Sequence, residues 1–133
     1  MDSDSKRELL PLAGGDPARH EKRGMPATFD SHARITGPCG DTMAFWLTIR
    51  DGIVETARYE TDGCGSSSAC GNTACRLAEG QTVRHAAAVS QQMILDALGG
   101  LPEETEHCAL LAANTLKAAC EEYERRFGEG KQV

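Results

Sequence analysis

The stretch Thr42-Met43-Ala44-Phe45-Trp46-Leu47-Thr48-Ile49-Arg50-Asp51-Gly52-Ile53 decides the fold. Met43, Phe45, Leu47 and Ile49 recur at every second position, the period of a half-buried strand. Asp51-Gly52 suits a two-residue hairpin turn, whose central residues need φ > 0. Ile53 to Thr61 then reads as the returning strand, with Ile53, Ala57 and Tyr59 on one side and Arg58 and Glu60 on the other. Upstream, Ala33-Arg34-Ile35-Thr36 reads as a short edge strand.

Beyond the hairpin the apolar period becomes helical. Ser66 to Glu79 reads as a helix that Gly80 ends. Thr82 to Val89 is a short helical piece, and Ser90 caps a helix running to Leu98. Gly99-Gly100-Leu101-Pro102 is a stop. From an N-cap at Thr105, the residues Cys108, Ala112, Leu116, Ala119, Cys120, Tyr123 and Phe127 follow helical spacing until Gly128. Strands followed by helices make an α+β domain, a small antiparallel three-stranded sheet packed against about four helices. Residues 1–24 carry mixed charge without a sustained apolar period and read as a mobile segment. Residues 25–133 form the single domain.

The chain has 133 residues, 40% hydrophobic and 26% charged, which is enough for one cored domain. A net charge of −6 with no basic patch argues against nucleic-acid binding. No apolar run is long enough for a membrane span, and the first residues lack the apolar centre of a signal peptide. A cytosolic protein, monomeric or weakly homo-oligomeric, is expected.

Six cysteines in a reducing compartment read as metal ligands, sulfur carriers or buried small hydrophobes rather than as disulfides. Cys64, in Asp62-Gly63-Cys64-Gly65-Ser66, sits where strand gives way to helix. Its backbone can come close to whatever the sulfur binds, and the helix N-terminus favours the thiolate. Cys39, in Gly37-Pro38-Cys39-Gly40-Asp41, opens the hairpin, so antiparallel pairing returns Cys64 to the same end of the sheet. Cys108 falls at the third position of the last helix and reads as exposed and thiolate-favouring. Three thiolates from three segments suit an iron–sulfur cluster or zinc. His107 or Asp41 could supply a fourth ligand, and a carboxylate there suggests a site that releases its cargo.

Each of these residues also has a plainer reading. Isolated cysteines are most often packing residues, no C-x-x-C pair is present, and Asp41 could simply bond the backbone of a turn. Cys120 lies roughly 18 Å along its helix from Cys108, and Cys75 about 16 Å from Cys64, at ~1.5 Å per residue. Both therefore read as structural. Cys70 lies on the stripe of Ala74 and Leu77, which favours burial, yet it is only a turn and a half beyond Cys64. His20, His32 and His85 have no ligand neighbours in sequence and read as solvated.

Four segments in register resemble the U-type iron–sulfur cluster assembly scaffolds, the IscU family and the N-terminal domain of NifU. They are Gly37-Pro38-Cys39-Gly40-Asp41-Thr42-Met43, Thr61-Asp62-Gly63-Cys64-Gly65-Ser66, Leu77-Ala78-Glu79-Gly80-Gln81-Thr82 and His107-Cys108-Ala109-Leu110-Leu111-Ala112. The resemblance implies a small sheet packed on helices with a solvent-facing site at one end. It implies Cys39, Cys64 and Cys108 as ligands, Asp41 as the residue that makes the cluster labile, and His107 as the group that completes the site. It further implies sulfur from a cysteine desulfurase, a 2Fe–2S and sometimes a 4Fe–4S cluster, transfer to apo iron–sulfur acceptor proteins, and zinc in the same site of isolated protein. On this reading the chain is a carrier, not a catalyst, and Cys108 or Cys39 accepts the persulfide sulfur.

Two rivals remain: a zinc-dependent sulfurtransferase accessory to a desulfurase, and a zinc-stabilised adaptor. The sequence also departs from the family pattern. Leu101-Pro102-Glu103-Glu104-Thr105-Glu106 lacks the Pro-Val-Lys that a dedicated chaperone reads, the insertion of the zinc-dependent SufU branch is missing, and Cys70 and Cys75 replace small or hydroxyl residues.

Overall fold

The computed structural model describes residues 21–127. Three strands, β1 (Ser31–Thr36), β2 (Thr42–Arg50) and β3 (Ile53–Thr61), are followed by helices α1 (Gly65–Ala78), α2 (Val83–Ala87), α3 (Gln91–Leu98) and α4 (Glu106–Phe127). A 3-10 turn at Glu103–Thr105 leads into α4. The sheet is antiparallel in the order β1-β2-β3, which leaves the hairpin's first strand in the centre. The α+β reading therefore holds, with three strands and four helices among the described residues. Most of the expected mobile segment, His20 and the Gly128 stop lie outside the described residues.

Asp51 and Gly52 take φ of 56° and 78°, the left-handed pair that a tight hairpin turn needs. Met43, Phe45 and Leu47 are buried as their alternation predicts, and Ala44 and Trp46 on the other face of this central strand are buried too. The return strand departs from simple alternation. Pairing runs Thr48↔Thr56 and then Ile49↔Val54, so Glu55 is an extra residue. A bulge of this kind reverses the facing of everything beyond it. Val54 is therefore the buried residue and Ile53, expected inside, is 36% exposed.

Helix α4 packs over β1 and β2, and α1 over β3. On the helix side the layer between them is built mostly from small residues. Ala74, Cys75 and Ala78 of α1 and Ala109, Ala112, Leu116, Ala119 and Cys120 of α4 meet Phe45, Leu47 and Tyr59 from the sheet. Contact is close at Gly71, where a Cβ would lie 2.6 Å from the Tyr59 ring. The caps follow the sequence: the hydroxyls of Thr82 and Ser90 accept the amides of His85 and Met93, and Gly99 ends α3 with φ 78°. Thr105 does not cap α4; its hydroxyl donates instead to the carbonyl of Pro102. Phe127, at the end of the expected apolar stripe, is exposed and stacks on Tyr123.

Residues Lys22–Gly24, which the sequence reading left outside the domain, run along β3. The Tyr59 amide donates to the Lys22 carbonyl, and the Gly24 amide to the Tyr59 carbonyl. Lys22 also pairs with Glu79 at 2.8 Å, and Arg76 pairs with Glu21. Among the described residues no helix is long and apolar enough to cross a membrane.

Candidate metal centre

The β1–β2 loop and the turn between β3 and α1 are cross-braced at one end of the sheet. The Gly37 amide donates to the Asp41 carbonyl (2.8 Å) and the Gly40 amide to the Gly37 carbonyl (3.0 Å), which makes a tight loop with Cys39 exposed at its tip. Gly40 supplies the φ of 96° that this loop needs. Across the gap, Thr61 Oγ1 donates to the Thr42 carbonyl at 2.6 Å, and Asp62 Oδ1 accepts the Thr42 amide at 2.8 Å. Asp62 thus takes the turn-bonding part that the sequence also allowed for Asp41. The Asp41 carboxylate is left to point at Ser67, whose hydroxyl lies 3.3 Å from Oδ2.

The ligand atoms of Cys39, Asp41 and His107 all lie within 4.8 Å of one another. The Cys108 sulfur is 3.8 Å from His107 Nε2 and 3.4 Å from the Ser67 hydroxyl. Cys64 is exposed and forms the N-cap of α1. Sulfur, imidazole and carboxylate from two segments, the β1–β2 loop and the start of α4, therefore meet at one end of the molecule, a mixed donor set that suits zinc or iron. Among the described residues no larger set of such groups shares that mutual spacing. The three-residue group is the tight nucleus; Cys108 stands against His107, and Cys64 lies outside that spacing but near enough to Cys108 to influence its thiol.

The thiols differ sharply in character. Cys64 is held below the ordinary thiol range, chiefly by the Ser67 amide, with burial opposing and the Ser66 amide and two serine hydroxyls assisting. No side-chain hydrogen bond closes this helix cap, so the stabilisation acts on the thiolate, as expected at a helix N-terminus. Cys108 corrects the sequence expectation. It does occupy the third position of α4, but it is only 1% exposed. Burial pushes its thiol up, the Ser67 hydroxyl opposes, and the neighbouring Cys64, Asp41 and Cys39 raise it further. Closeness to a helix start favours a thiolate only on the face that water or a cation can reach.

Cys70, Cys75 and Cys120 are fully buried core residues. Burial raises Cys70 and Cys120 to about 12, and Cys75 well above the ordinary value. Among the described histidines, His32 and His85 are exposed, as the sequence suggested.

The contacts of four residues were not read from the sequence. Ser67 lies between Asp41 and Cys108; the hydroxyl run Ser66-Ser67-Ser68 was the only hint of it. Gly63 has no room for a side chain, because a Cβ there would fall on the Ser67 hydroxyl and 2.8 Å from Asp41 Oδ2. Asp62 ties the loops, as described above. Arg23 grips both flanks of the Cys64 turn, reaching Glu60 at 2.8 Å, the Thr61 carbonyl at 2.7 Å and the Ser68 hydroxyl at 2.9 Å. It had no visible signal, because its partners lie 37 to 45 residues away in sequence.

Comparison with known proteins fits this arrangement. The family described as NifU-like N terminal domain matches residues 21–129. The iron-sulfur cluster assembly scaffold protein IscU 1 of Archaeoglobus fulgidus is 34% identical over 91 residues, covering 68% of this chain and 60% of that protein. The chain thus aligns with less than two thirds of that relative's length. The IscU scaffold protein of Azotobacter vinelandii is also 34% identical over 91 residues, covering 68% of this chain and 70% of its own length. In fold, the N-terminal NifU-like protein of Brucella abortus superposes with a TM-score of 0.65 at 22% identity, covering 91% of this chain and 94% of that one. By its family match and its shared identity with the IscU relatives, the chain belongs to the NifU-like N-terminal domain family of IscU-type proteins.

Proposed function

We propose that this protein is a scaffold on which an iron–sulfur cluster is assembled and from which it passes to apoproteins in the cytoplasm. The observation that carries this reading is the approach of Cys39, Asp41 and His107 to within 4.8 Å of one another, beside Cys108, in a chain of this family. The named activity of the IscU relatives points the same way. The cluster is cargo, and the chain is a carrier rather than a catalyst.

Cys39, Cys64 and Cys108 are the sulfur ligands, with Asp41 or His107 completing the set. Exposure divides their tasks. Cys39 and Cys64 are open to solvent, whereas Cys108 is covered, so sulfur from a cysteine desulfurase arrives at one of the two open cysteines, as its thiolate, and not at Cys108, which the sequence reading offers beside Cys39. That thiolate attacks the outer sulfur of the donor persulfide, a new S–S bond forms here, and the donor leaves as its own thiolate. Cys108 then serves as the inner anchor. Asp41 is the weak, hard ligand whose exchange lets an acceptor's thiolate take over the metal.

Anaerobic reconstitution with iron, sulfide and thiol, followed by visible absorption and Mössbauer spectra, tests the reading. A 2Fe–2S signature is expected, released more slowly to an apoprotein by Asp41→Ala than by the parent. A site that takes up zinc, stimulates a desulfurase and never forms a cluster would establish the sulfurtransferase reading instead, which the mixed sulfur, nitrogen and oxygen donors also suit.

A further inference from the structure

Ser67 bridges two segments of the centre, the β1–β2 loop through Asp41 and the start of α4 through Cys108. It lies at the third position of α1 and is 1% exposed. It stands three residues beyond Cys64, the N-cap of the same helix. Its hydroxyl lies 3.3 Å from Asp41 Oδ2, on the β1–β2 loop, and 3.4 Å from Cys108 Sγ, on α4. The fit around it is tight: the missing side chain of Gly63 leaves the space that the Ser67 hydroxyl and the Asp41 carboxylate occupy.

From this geometry we propose that Ser67 is the positioning residue of the centre, a shared donor that holds Asp41 and Cys108 in register before cargo arrives. A buried hydroxyl must find a partner, and the two acceptors this one meets across the fold, Asp41 Oδ2 and Cys108 Sγ, are site groups. It carries a single proton, so it serves the carboxylate or the sulfur, one at a time. When cargo engages one of them, the hydrogen bond passes to the other by rotation about one side-chain torsion. The hydroxyl is then satisfied in the empty and the loaded states alike, and α1 need not move. The inference rests on the reading that this centre holds metal, but it adds a residue that is not itself a ligand.

The test uses Co2+ alone, under anaerobic conditions, on the full chain as the parent, Ser67→Ala, Asp41→Ala and the double variant. The parent should show thiolate-to-cobalt absorption. Ser67→Ala should bind Co2+ roughly 10-fold or more weakly, the size of loss expected when a group supporting metal ligands is removed. Its circular dichroism and metal-free melting should match the parent's. In the Asp41→Ala background the same serine substitution should cost much less, because one of the two groups it registers is already gone. Equal Co2+ affinity for the parent and Ser67→Ala, or full additivity of the two losses, would overturn the role of Ser67 and leave the metal site standing. No thiolate absorption from the parent would instead remove the metal-site reading, and this inference with it.

Discussion

Two sets of cysteines share the same helices and have opposite characters. On α1, Cys64 caps the N-terminus in the open, while Cys70 and Cys75 are sealed in the core. On α4, Cys108 stands among the site groups, and Cys120 packs three turns further on among Ala119, Leu116 and the sheet. What separates them is position along and around the helix. A helix start that meets two loops offers a carboxylate and an imidazole; further along the same helices Cys70, Cys75 and Cys120 join the apolar core cluster. Cys108 lies between the two worlds, covered like a core residue yet within reach of His107 and Ser67. Burial alone therefore does not tell a packing thiol from one that stands among polar site groups.

The sharpest way to break the contrast is to exchange sulfur for oxygen at each position. Cys39→Ser, Cys64→Ser or Cys108→Ser should each abolish stable cluster loading while the protein stays folded. Cys70→Ser, Cys75→Ser and Cys120→Ser should load normally. Their cost falls on stability instead, about 1–3 kcal/mol each for placing an unpartnered hydroxyl in an apolar layer, read by denaturant unfolding. Gly71→Ala belongs with the core set. Its new Cβ would sit 2.6 Å from the Tyr59 ring, and overpacking of this kind costs about 1–3 kcal/mol. A loading defect in Gly71→Ala at unchanged stability would mean that the two regions are not separable.

A smaller effect is expected at Arg23. Arg23→Ala should cost on the order of 1 kcal/mol, the usual worth of such hydrogen bonds. It should also speed amide hydrogen exchange in residues 61–68 more than elsewhere. Uniform exchange across the chain would remove Arg23 from any part in holding the Cys64 turn.

The smallest effect is one of pH. Cys64 is held below the ordinary thiol range and Cys108 above it. Alkylation of Cys64 should therefore begin at a lower pH than that of Cys108, as resolved by mass spectrometry. The two shifts act oppositely on folding. The Cys64 contribution is present above the unfolded thiol's pKa and lost as pH falls through the lowered value. The Cys108 contribution is present below the unfolded pKa and lost as pH rises through the raised value. An inverted alkylation order would reverse this assignment of exposed and inner thiols.

The contrast also explains what was legible in the sequence. Alternation from Met43 to Ile49 and the Asp51-Gly52 turn were enough for the hairpin, and the hairpin was enough to bring the Cys39 loop and Cys64 to one end. Helical spacing separated Cys120 from Cys108, because distance along a helix is fixed by geometry. Which way a residue faces was harder. One extra residue, Glu55, put Val54 rather than Ile53 into the core, and no local pattern announces a bulge. The burial of Cys108 depends on loops far away in sequence. Ser67, Gly63 and Arg23 matter through contacts that only the closed fold creates.

The most direct measurement is an alkylation footprint of all six cysteines before and after anaerobic cluster loading, quantified by mass spectrometry. Loading should protect Cys39 and Cys64, which react readily in the empty protein, and abolish the slow labelling of Cys108. Cys70, Cys75 and Cys120 should label only on unfolding in both states. Continued rapid labelling of Cys39 or Cys64 with the cluster bound, or protection confined to a core cysteine, would contradict the account.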